Sequence, residues 1–211
     1  MNNSKIPVNK IGKYIRELSI VVVGVAITLS IGIWITNANN KRDIKLYLEA
    51  IKVELEENIV MMDGIVENWQ NSVKYANYLT SNSKETLSRD SIWSCGANTF
   101  YGFQYVKFST TAFEIFKISG LMRLMDDKKM LSSVCKAYED LGIFYLYLEE
   151  VRKFKTEEMI KDMEDPSKWE IPMYNFFAKT STPYEVIRLS KYYSEKLRET
   201  VSNLDQGKVV E

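Results

Sequence analysis

Leu18-Ser-Ile-Val-Val-Val-Gly-Val-Ala-Ile-Thr-Leu-Ser-Ile-Gly-Ile-Trp-Ile-Thr-Asn-Ala-Asn-Asn40 decides the fold. These twenty-three residues contain no charge, and Ile20 to Ile35 is almost wholly apolar. A helix rises about 1.5 Å per residue, so about 20 apolar residues cross a hydrocarbon layer about 30 Å thick. The run therefore predicts a transmembrane helix over residues 18–38. Trp34 lies near one end and Tyr14 one turn before the other, where amphipathic rings settle at headgroups. Thr28, Ser30 and Thr36 are tolerable there, because a hydroxyl can donate to a carbonyl of the preceding turn.

The run exceeds the apolar core of a cleavable signal peptide, about 7–15 residues, so an uncleaved signal anchor is expected. Lys5, Lys10, Lys13 and Arg16 flank it on one side and Lys41, Arg42, Lys45 and Lys52 on the other. That balance gives no vote under the positive-inside rule. Asp43, Glu49, Glu54, Glu56 and Glu57 dilute the far flank. The expected topology is single-pass in the cell membrane, N-terminus inside and helical domain extracytoplasmic. Gly24, Thr28 and Gly32 recur every four residues, a spacing that lets spanning helices approach closely and offers a homo-oligomer contact.

Beyond the anchor, residues 41–204 suffice for one helical domain with a substantial core, between a short N-terminal flank (1–17) and a flexible tail (205–211). The chain holds 28 basic and 28 acidic residues. From Lys41 onward it holds 24 basic and 27 acidic ones, so no phosphate-neutralising surface is expected and nucleic acid is an unlikely partner class by charge. Histidine is absent, which removes the usual neutral-pH base and the commonest metal ligand. Cys95 and Cys135 have no metal-ligand spacing. In an oxidising compartment they could pair, and two separate thiols are the alternative.

The helical domain opens with Ile44, Leu48, Ile51, Leu55, Met62, Ile65 and Trp69 at steps of three, four and seven, interrupted by Asn58. Lys52, Glu54, Glu56 and Glu57 read as its solvated face, and Gly64 as a candidate bend. Residues 80–91 are a polar connection. Ile92 to Phe108 follows, with Trp93, Phe100, Tyr101, Phe103, Tyr105 and Phe108, as one long aromatic-rich loop pinned to the bundle or lining a ligand pocket. Thr111-Ala-Phe-Glu114 has capping-box spacing, and the helix it starts is expected to end at Gly120. Asp126 and Asp127 offer a second N-cap. The next helix carries Leu131, Val134, Tyr138, Leu141, Tyr145 and Leu148 on one face.

Leu141 to Leu148 is apolar nearly all round and too short to span a bilayer. It predicts a helix buried between neighbours or a surface meeting another subunit. Pro166 ends this helix, Pro166 to Pro172 with Trp169 is a loop, and Met173 to Ala178 is a short apolar bridge. Thr182-Pro183-Tyr184-Glu185 starts the last helix, whose stripe is Val186, Leu189, Tyr193, Leu197, Val201 and Leu204. The fold class is thus all-α: an N-terminal transmembrane helix, then an antiparallel helical bundle.

No phosphate-binding glycine pattern or nucleophile elbow occurs. Glu157-Glu158 and Asp162-Glu164-Asp165 lack calcium-loop spacing and read as a solvated helix end. No catalytic, cofactor-binding or metal-binding residue is assigned, and no cofactor is expected. The expected role is a membrane-anchored helical interaction or scaffold protein. Its partners are the lipid bilayer and another protein or a second copy, met through Gly24, Thr28 and Gly32 or the Leu141–Leu148 surface. The alternative is an extracytoplasmic sensory or ligand-binding bundle acting through a partner.

Two segments resemble an uncharacterised bacterial family of single-span proteins known only as a domain of unknown function. One is Ile11-Gly12-Lys13-Tyr14 through Trp34. The other is Thr110-Thr111-Ala-Phe-Glu114-Ile-Phe-Lys-Ile-Ser119-Gly120 with Leu121 to Leu131. The chain departs at the exit of the span, where Thr36-Asn37-Ala38-Asn39-Asn40 stands in place of an Asn-Asn-Trp-Asn-like sequence. The resemblance implies an N-terminal anchor with a helical domain, and carries over no functional residue.

Overall fold

The computed structural model describes residues 8–83, 86–87, 90, 94, 106–164 and 174–207, and the side chains of 8–17, 162–163 and 174–175 lie outside that description. Five α-helices and one 3-10 turn are described, and the described residues contain no strand. They are α1 (Val8–Ser81), α2 (Thr111–Ile118), the 3-10 turn Leu121–Leu124, α3 (Lys128–Glu164), α4 (Tyr174–Ala178) and α5 (Thr182–Gln206). The all-α expectation holds. The chain divides into two units, Met1–Leu46 and Tyr47–Glu211.

The first unit contains the apolar part of α1. Its large hydrophobic side chains from Leu18 to Ile35 are between 49 % and 72 % exposed. Thr28 Oγ1 donates to Gly24 O at 2.9 Å, Ser30 Oγ to Ala26 O at 2.8 Å and Thr36 Oγ1 to Gly32 O at 2.9 Å. Each hydroxyl is thus satisfied within the helix itself, as an apolar surrounding demands. Helical backbone continues through Asn37, Asn39 and Asn40. The flanking Lys5, Lys10, Lys13, Arg16 and Tyr14 side chains lie outside the described residues.

The second unit is a bundle of three long helices. Ser133 on α3 meets Thr200 on α5, and Phe144 meets Tyr193, so these two run antiparallel. Lys52 of α1 reaches Asp205 and Asp63 reaches Ser194, so α5 also opposes α1. Tyr138 contacts Glu54, and Lys155 lies over Trp69, so α1 and α3 run parallel.

Ile51, Leu55, Met62 and Ile65 are buried as the stripe requires, and so are Val134, Leu141, Val186 and Leu197 of the other stripes. Helix α1 passes through Gly64 without interruption. The bridge expected at Met173 to Ala178 is in its described part the short helix α4. Its Phe176 and Phe177 are buried, the first against Trp69 and Phe154 and the second against Tyr75. The expected loop at Pro166 to Pro172 lies outside the described residues.

Candidate functional site

The most constrained polar cluster forms where α2 docks on α1. Glu54 is only 5 % exposed, which corrects its assignment to the solvated face of α1. Its Oε2 accepts from Ser109 Oγ at 2.8 Å and from the Ala112 amide at 2.8 Å. Its Oε1 accepts from Tyr138 Oη at 2.6 Å and from the Phe113 amide at 3.4 Å. One turn on, buried Asn58 brackets Ser109: Nδ2 donates to the carbonyl and Oδ1 accepts from the amide, both at 2.8 Å. Burial, and then the hydrogen bond to Glu54, hold the Tyr138 hydroxyl well above the ordinary tyrosine range.

This geometry corrects the capping box as well. Thr110 is the N-cap of α2 and makes no side-chain cap bond, and Glu114 reaches Lys117 instead. The orphan amides of the first turn go to Glu54 from another helix, because a full negative charge at a helix N-terminus is favoured over a neutral hydroxyl. Chemically the cluster is closed. A carboxylate offers about four acceptor sites, and four donors already face this one. Its role is to fix α2 on α1 and α3.

The other helix ends follow more closely. Asp127 Oδ1 accepts from the Lys129 and Met130 amides at 3.0 and 2.9 Å, so it caps α3 as expected. Gly120 follows α2 at φ 72°, a left-handed conformation that suits glycine. Helix α5 begins one residue early, at Thr182, with Ser181 as its N-cap and Pro183 in its first turn.

Three further features are open to chemistry or contact. Lys155 is 7 % exposed and sits 5.9 Å from the Trp69 ring centroid, and burial pushes its ammonium down to about 8. Cys135 is a half-buried free thiol whose pKa burial raises, a setting that makes it less nucleophilic. Between α1 and α5 runs an open groove of about 500 Å³ lined by Glu56, Ile59, Val60, Asp63, Arg198, Val201, Ser202 and Asp205. Arg198 pairs with Asp63 at 2.6 Å across it.

The segment Leu141 to Leu148 divides in two. Leu141 and Phe144 are buried in the bundle, whereas Ile143 and Leu146 point outward, Leu146 at 64 % exposure. Burial between neighbours is thus met by Leu141 and Phe144, while Ile143 and Leu146 are exposed. Of the acidic residues near the end of α3, Glu158 is buried and its carboxylate accepts from Lys161 at 2.7 Å, correcting its solvated assignment, whereas Glu157 is exposed. The Asp162 side chain and Asp165 lie outside the described residues, as do Cys95 and the aromatic residues Trp93, Phe100, Tyr101, Phe103 and Tyr105. Among the described residues no group of three potential ligands could hold a metal.

Neither protein-family models, nor curated proteins, nor solved structures give a match to this chain.

Proposed function

We propose that this is a single-pass membrane protein whose helical domain lies outside the cytoplasm and acts by binding another protein or a second copy of itself. The observation that carries the reading is the exposure of Leu18 to Ile35. Twelve large hydrophobic side chains there contact water unless something covers them. Leaving each uncovered forgoes up to about 1.5–3 kcal/mol. Together that is on the order of 15 kcal/mol after allowance for partial exposure, comparable to the whole net stability of a domain. A bilayer covers all of them at once.

The interaction role is supported by aliphatic residues that the domain leaves outward. Val53 and Val60 do so on α1, and Ile143 and Leu146 on α3. Gly24, Thr28 and Gly32 add a face on which a second anchor can pack closely. Site-specific photocrosslinking in native membranes tests this. Probes at Leu146 and at Gly24 are expected to yield discrete adducts, and a strictly monomeric pattern from both positions contradicts the interaction role.

A further inference from the structure

One end of the domain carries an apolar surface whose position limits what can cover it. Helix α2 starts beside Glu54 and runs back along α1, so that Phe116 stacks on Tyr47 at 5.5 Å. Tyr47 is the first residue of the second unit, where the chain enters from the anchor. Past that level Ile118 is 82 % exposed, more than any other large hydrophobic residue described, with Ile115 and Leu124 also outward. Arg123, Lys128 and Lys129 are exposed in the same stretch, with Lys128 Nζ donating to the Arg123 carbonyl at 3.2 Å. Of the three acids in this stretch, Glu114 is paired with Lys117, Asp127 is turned onto the first amides of α3, and Asp126 is exposed.

We propose that this corner, Ile115, Ile118 and Leu124 with Arg123, Lys128 and Lys129 about them, seats in the lipid headgroup layer. The inference rests on the proposed anchoring of the chain. Eleven residues lie between Ile35 and Tyr47, and the twelve steps make a tether of about 18 Å as helix and about 40 Å fully extended. Tyr47, at the level of the corner, is therefore never further than that tether from the end of the apolar run. Aliphatic side chains ringed by lysine and arginine match that layer, where acyl boundary and anionic headgroups lie within a few ångströms. Ile143, Leu146 and Val60 carry no such ring at the chain's entry end and are left for protein contacts.

The test uses the full chain, with Cys95→Ser and Cys135→Ser, reconstituted in phosphatidylcholine–phosphatidylglycerol vesicles. Single cysteines carry an environment-sensitive fluorophore at Ile118→Cys or Leu124→Cys, at Lys191→Cys on α5, and at Val25→Cys in the apolar run. Headgroup spin-labelled lipid is expected to quench the first two probes several-fold more than the Lys191→Cys probe. Arg123→Gln with Lys128→Gln and Lys129→Gln is expected to reduce that difference. Equal quenching at Ile118→Cys and Lys191→Cys, while acyl-chain spin label still quenches Val25→Cys, overturns the surface contact and leaves the anchor standing. An Ile118→Cys probe shielded from aqueous iodide but untouched by headgroup label means a protein covers the corner, which also overturns it. Loss of quenching at Val25→Cys removes the anchor and the inference together.

Discussion

The Tyr138 hydroxyl lies 2.6 Å from the Glu54 carboxylate, joining α1 to α3 across 84 residues of sequence. Through the same carboxylate pass the first amides of α2, so one side chain ties three helices. Glu54→Ala strands the Tyr138 hydroxyl, the Ser109 hydroxyl and two amides at once. A loss of about 2–4 kcal/mol is expected in chemical denaturation, against about 1.5–3 kcal/mol for Tyr138→Phe. A double-mutant cycle should show the two effects to be non-additive, since they share a bond. Additive losses would mean that the pair is not coupled in solution.

Asn58→Ala removes both hydrogen bonds to the Ser109 backbone. It should cost about 1–3 kcal/mol, and its effect should be local before it is global. Hydrogen exchange of the Ser109 to Phe113 amides is the direct measurement. Faster exchange there, with protection in α5 unchanged, is the expected outcome.

Burial depresses Lys155 to about 8 in the folded chain, below its ordinary value of 10.5. The unfolded chain therefore binds more protons between those values, and stability rises with pH across that window. Below it, charging the buried amine opposes folding by about 3 kcal/mol as an order of magnitude. Denaturation midpoints measured from pH 7.5 to 9.5 should climb in the natural chain, and Lys155→Met should flatten the rise. A slope unchanged by the substitution would place the titrating group elsewhere.

The helices were legible in the sequence because each carries a period near 3.6. Ile51, Leu55, Met62 and Ile65 are buried as that period requires, and so are Val186, Leu197 and Leu204. The burial of Glu54 is masked in the sequence because its charge argues for solvent while its position argues for the core. It lies three residues after Ile51 and four before Asn58, so it shares the stripe. The interruption at Asn58 was the visible half of a polar pair built to receive another segment. Local spacing likewise favoured a capping box at Thr111 and Glu114. It could not reveal a stronger acceptor arriving from a helix more than fifty residues earlier. For function, the candidate span is legible because a bilayer imposes a length and a composition. A protein-binding face imposes neither, and Leu146 resembles a core residue until the fold turns it outward.

The proposed topology is tested most directly by labelling intact cells with a membrane-impermeant maleimide. The chain carries Lys191→Cys with Cys95→Ser and Cys135→Ser and is recovered from washed membranes. Lys191 is exposed on α5, so its side chain is free to react. Labelling of membrane-bound chain in intact cells, unchanged by permeabilisation, is expected. Recovery of the chain in the soluble fraction, or labelling only after permeabilisation, would contradict an anchored domain outside the cytoplasm.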